Sequence, residues 1–133
     1  MSYRVLIVDD DDDSRSWVQR ALGAAGFDIA AATTGAGAFA YIASDDIDLV
    51  IAERTLRETD GMRLVWRIKA EFPSVAVVVM TGIGSTRSAI DAMRLGAEDY
   101  LVKPFDAETL VAVARRAIES PPRALIGRPP ASP

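Results

Sequence analysis

Short apolar runs alternate with longer amphipathic stretches along most of this chain. Val5-Leu6-Ile7-Val8 is a continuous apolar run of strand length. The next stretch, Ser14 to Ala25, carries Val18, Leu22 and Ala25 on one helical face, with Ser14 as the expected N-cap and Gly26 as the stop. Phe27 to Ala32 predicts a second strand. Gly35 to Ser44 predicts a helix through Ala38, Phe39 and Ile42, although Gly37 inside it costs about 1 kcal/mol against alanine. Asp48 to Ala52 predicts a third strand, and a loop runs on to Asp60-Gly61. In the helix predicted over Met62 to Phe72, Leu64, Val65 and Ile68 face inward, and Pro73 ends it. Val75 to Met80 is a fourth strand, apolar throughout. Ser85 to Leu95 predicts a helix with Ala89, Ile90 and Met93 inward and Gly96 after it. Tyr100-Leu101-Val102 is a short fifth strand, broken by Lys103-Pro104. The last helix, Ala107 to Glu119, carries Leu110, Val113, Ala114 and Ala117.

Five strands alternating with five helices predict an α/β domain whose parallel sheet is covered on both faces. Right-handed crossovers leave few topologies for such a chain. The domain is expected over residues 1–119. From residue 120 the sequence holds five of the seven prolines, which predicts a Pro-rich tail or linker over 120–133.

Composition removes several classes. Without cysteine there is no disulfide framework and no thiolate metal site. Without histidine this chain is neither a histidine phosphotransfer module nor a histidine kinase, and it has no histidine general base. The formal net charge is −4 and the basic residues are scattered among acids, so direct nucleic-acid binding is not expected. The longest apolar run is strand-sized, which predicts no membrane span. The opening residues pass straight into a strand rather than a signal peptide, and a cytoplasmic location is expected.

In an open parallel sheet, ligands bind at the carboxyl ends of the strands. Asp9 and Asp10 follow the first strand, Glu53 the third, Thr81 the fourth, and Lys103 and Pro104 the fifth. Each has an ordinary reading. Acids at a helix entry complement its dipole, which suits Asp11 to Asp13. Thr81 reads as a helix cap, and Lys-Pro as a turn. Together at one sheet edge they read as a site: clustered carboxylates repel unless a lysine or a cation sits among them, and hard oxygen ligands suit Mg²⁺.

At these residues the chain resembles the receiver domains of bacterial two-component response regulators, over about residues 4 to 119. The resemblance is carried by Val-Leu-Ile-Val-Asp-Asp, Asp-Leu-Val-Ile, Asp-Gly, Val-Val-Met-Thr-Gly, Ala-Met-Arg-Leu-Gly-Ala-Glu-Asp-Tyr and Leu-Val-Lys-Pro-Phe-Asp, in this order and spacing. The run Thr81 to Phe105 looks most like receivers of nitrogen-regulation-type transcription factors. The resemblance implies a doubly wound, flavodoxin-like sheet of order 2-1-3-4-5, a signalling role rather than an enzyme's, and a phosphate-accepting aspartate after the third strand. By position it makes Asp9 and Asp10 the Mg²⁺-holding acids and Thr81, Tyr100 and Lys103 the switch residues. Pro104 matches the proline that follows the lysine, often through a cis peptide.

Two departures change the expected chemistry. Glu53 stands at the acceptor position, and its extra methylene moves the carboxylate by roughly one C–C bond. A misplacement of about 1 Å in an in-line attack can cost ~10²-fold. Normal aspartyl phosphorylation, and with it normal use of Mg²⁺, is therefore not expected. The second departure is Leu56-Arg57, where the family usually has Met-Pro, with Arg54 adding charge nearby.

Three readings of Glu53 follow. It partly mimics the phosphorylated state by holding Thr81 and Lys103; it pairs with Lys103 structurally in a phosphorylation-independent interaction module with a vestigial switch; or it is slowly self-phosphorylated. An engineered Glu53 fits poorly with the unusual neighbours Ala52, Arg54 and Arg57. A flavin-binding reading fails because the aspartates after the first strand repel phosphate. The expected partners are proteins: an effector domain, a kinase or another signalling protein. The candidate output face comprises Arg87, Asp91, Arg94, Tyr100 and Arg115. The chain is expected either to act alone by binding a partner or to be the receiver cut from a larger transcriptional regulator, as a monomer or a homodimer.

Overall fold

A computed structural model describes residues 2–121. Five strands form one parallel sheet: β1 (Arg4–Val8), β2 (Asp28–Ala32), β3 (Leu49–Glu53), β4 (Ala76–Thr81) and β5 (Asp99–Val102). Their order is β2-β1-β3-β4-β5, the doubly wound, flavodoxin-like arrangement expected. The connections are α1 (Asp12–Ala24), α2 (Gly35–Ser44), α3 (Gly61–Glu71) and α4 (Thr86–Arg94), and α5 (Ala107–Glu119) closes the domain. The Pro-rich stretch expected over 120–133 lies almost wholly outside the described residues.

Strand periodicity divides the core into two layers. Leu6, Val8, Val50, Ala52, Val77 and Val79 point to the side of α2, α3 and α4. Val5, Ile7, Leu49, Ile51, Val78 and Met80 point to the side of α1 and α5. Each of these side chains is fully buried, which is why the strands read as continuous apolar runs rather than alternating ones.

Several boundaries differ from the sequence reading. Asp11, not Ser14, caps α1: its carboxylate accepts from the Asp13 and Ser14 amides, while Asp12 and Asp13 fill the first turn. Glu53 and Thr81 are the last residues of β3 and β4 rather than the first beyond them. The phase of α4 also differs. Its buried residues are Ser88 and Ala92, while Ile90 is 50% exposed. Small side chains let α4 lie close to the sheet, and Leu95 after it completes the inward stripe.

Candidate functional site

The site gathers where β1, β3, β4 and β5 end. Asp9 directly follows β1 and is completely buried. Its Oδ1 accepts from the Asp11 amide at 3.0 Å, and its Oδ2 lies 3.4 Å from Lys103 Nζ. Glu53 Oε1 accepts from Lys103 Nζ at 2.6 Å, and Glu53 Oε2 accepts from the Thr55 amide at 3.0 Å. Lys103 is anchored in turn, its amide donating to the Thr81 carbonyl at 2.8 Å. Burial acts against the ammonium of Lys103. The hydrogen bond to Glu53 and the charges of Asp9 and Glu53 outweigh it and raise the pKa above the ordinary lysine value.

Asp10 points elsewhere. Its Oδ2 accepts from the Arg57 amide at 2.7 Å, with Arg57 Nε 4.0 Å away. The β3–α3 loop is held at further points. Glu58 Oε1 accepts from the Gly35 amide at the start of α2 at 2.6 Å, and the Gly61 amide donates to the Arg54 carbonyl at 2.7 Å. A Cβ on Gly61 would collide with the Glu53 carbonyl oxygen and Arg54 Cα, so glycine allows the backbone beneath Glu53 to pass this closely.

Thr81 is buried, and its Oγ1 accepts from the Ile83 amide at 3.1 Å. The expectation that Glu53 holds both Lys103 and Thr81 is thus corrected: Glu53 holds Lys103 alone. Its second oxygen is drawn back to its own loop amide at Thr55, a short-range side-chain turn that competes with any reach across the site. Nor does Thr81 cap α4, a role taken by Ser85. The Tyr100 ring is half-buried against the α2–α4 layer of the core, and its buried hydroxyl has no partner among the described residues. Pro104 follows Lys103 through a cis peptide bond.

On the candidate output face, Arg87, Asp91 and Arg94 are exposed on α4. Arg115 is not part of that face. It donates to the Ala25 carbonyl after α1 at 3.3 Å and stacks over Phe27. Arg116, one residue on, turns towards β5 and pairs with Asp99 at 2.8 Å. The sequence reading also missed an apolar group around α4: Ile83, Ile90 and Val102 are 77%, 50% and 47% exposed. The available signal was Val102, an apolar residue at the strand end opposite the polar entry to α4.

Mg²⁺ is the ion that the resemblance implies. Among the described residues no group of three acids is disposed to hold a metal. Asp9 and Glu53 share the Lys103 ammonium, and Asp10 is taken by Arg57. Lys103 stands between two of the acids and Asp10 Oδ2 is bonded to the Arg57 amide, so this arrangement does not fit an Mg²⁺ centre.

The sheet order and the gathering of Asp9, Glu53, Thr81 and Lys103 at its carboxyl edge agree with what the resemblance to receiver domains implies. The chain belongs to the response regulator receiver domain family, whose model matches residues 5–115. It is 35% identical over 119 residues to the DNA-binding transcriptional regulator NtrC of Rhizobium meliloti, covering 90% of this chain and 25% of that protein. It is 34% identical over 114 residues to the transcriptional regulatory protein ZraR of Escherichia coli K12, covering 86% of this chain and 26% of that one. The receiver domain of NtrX from Brucella abortus superposes with a TM-score of 0.83 at 36% identity, over 87% of this chain and 98% of that chain. The chain spans about a quarter of the length of these curated relatives.

Proposed function

We propose that this receiver works without normal aspartyl phosphorylation, its state set by a standing Glu53–Lys103 pair that partly substitutes for an acquired phosphoryl group. The observation that carries the reading is the 2.6 Å contact between a nearly buried carboxylate and Lys103. A charge-assisted hydrogen bond of this length is among the stronger polar contacts in proteins. The substitution is partial for two reasons. One carboxylate charge replaces a phosphoryl group carrying about −1.5 to −2, and Thr81 remains bonded to Ile83. The conformational population therefore shifts only as far as the Lys103 contact favours one state.

The half-engaged switch also supports a second reading, in which Glu53 and Lys103 form a structural pair within a constitutive protein-interaction module. Under either reading the output is a protein contact, by an effector domain in the same polypeptide or by a separate signalling partner. The family and the greater length of the relatives support this. The two readings part under Glu53→Gln, followed by NMR of the α4–β5 residues. The switch reading predicts shifts at Ile83, Ile90, Tyr100 and Val102, far from the substitution in sequence. Shifts confined to Asp9, Thr55 and Lys103 would leave only the structural pair.

A further inference from the structure

The resemblance gives Asp10 to a metal, whereas the structure gives it to the β3–α3 loop. We infer that Asp10 is a loop latch in this protein, and that the backbone N–H of Arg57 displaces the divalent cation from the acidic corner. The key is the residue type at position 57. Proline, usual there in the family, has no N–H and could not make this bond. Arginine supplies the N–H, and Asp10 Oδ2 accepts from it at 2.7 Å across 47 residues of sequence.

The Arg57 side chain adds little. It is 86% exposed and its Nε stands 4.0 Å from Asp10, a distance and setting at which solvent screens the pair. The backbone bond therefore does most of the holding. Its consequences reach further because the same loop is fastened at Thr55 to Glu53 Oε2 and at Glu58 to the start of α2. Asp10, Glu53 and α2 are tied through one loop, so a cation entering at Asp10 must release that loop as well as shed its own water. The other carboxylates offer no alternative centre, since Lys103 lies between Asp9 and Glu53. The inference does not depend on what Glu53 does for output.

The test is a titration with MgCl₂ of the wild-type chain, Arg57→Ala and Arg57→Pro, following the backbone amides of Asp9, Asp10, Thr55 and Glu58 by NMR. Alanine keeps the N–H and proline removes it. The latch predicts no saturable shift through the millimolar range for wild type and Arg57→Ala. Arg57→Pro should bind Mg²⁺ about tenfold or more tighter than either, the change expected on removing one hydrogen bond to a charged group. Equal Mg²⁺ affinity in all three chains, or saturable millimolar binding by wild type, overturns the inference. A second arm covers a proline variant that fails to fold: hydrogen exchange of the Arg57 amide in wild type and Asp10→Ala. Faster exchange in Asp10→Ala supports the latch, and unchanged exchange overturns it.

Discussion

The domain holds two lysine–glutamate pairs at opposite edges of the same sheet, and they are built differently. At the amino end of β4 and β5, Lys69 on α3 meets Glu98 at 3.0 Å, with side chains only 1% and 3% exposed. Lys69 Nζ also donates to the Pro73 and Val75 carbonyls, and Glu98 Oε2 accepts from the Val77 amide. Three donors meet three acceptors, and the ammonium is saturated. At the carboxyl end, Lys103 meets Glu53 at 2.6 Å and Asp9 at 3.4 Å, with its side chain 25% exposed. That ammonium faces two carboxylates and keeps access to solvent. A saturated, sealed pair fixes structure; an open pair beside two acids is able to change partners.

The largest expected effect is at the sealed pair. Lys69→Met removes a buried ion-pair partner of Glu98 and should cost about 3–5 kcal/mol, read as a lowered urea midpoint at unchanged slope. Gly61→Ala attacks the open pair from beneath, by forcing backbone away from Glu53, and should cost about 1–3 kcal/mol by the same measurement. Lys103→Met should cost less, about 1 kcal/mol, because solvent already reaches the ammonium and can take its place beside Glu53. Equal losses for Lys69→Met and Lys103→Met would break the comparison.

The smallest expected effect is a pH dependence. The folded-state pKa of Lys103 is raised, so its contribution is fully present below the unfolded lysine value of ~10.4 and is lost as pH rises through the folded value. Stability should therefore fall more steeply above about pH 10.4 in wild type than in Lys103→Met, as thermal melts across that range will read.

The contrast also explains what the sequence disclosed. The strands β1, β3 and β4 were legible because their apolar residues are buried on both faces and form an unbroken run. The site was legible because a parallel sheet places its chemistry at one edge, where Asp9, Glu53, Thr81 and Lys103 stand. The phase of α4 was not. Its inward stripe uses Ser88 and Ala92, and the larger Ile90 drew the predicted face to the wrong side. Ser14 opens the apolar periodicity of α1, yet Asp11, three residues earlier, accepts from the free amides and caps the helix. Lys69 was missed although it sits four residues after Val65, on the inward face of α3. Its carboxylate lies 29 residues away, a pairing that periodicity cannot express. The contacts of Asp10 with Arg57 and of Glu58 with Gly35 were hidden for the same reason: each joins a side chain to a backbone amide far away in sequence.

The central claim is that Glu53 takes this receiver out of aspartyl phosphorylation, with Mg²⁺ held off separately by the Asp10–Arg57 bond. Incubating wild type, Arg57→Pro and the double variant Glu53→Asp/Arg57→Pro with Mg²⁺ and a small acyl phosphate, then reading intact mass, tests it most directly. The account predicts one added phosphoryl group on the double variant and none on wild type or Arg57→Pro. A phosphoryl mass on wild type would contradict it.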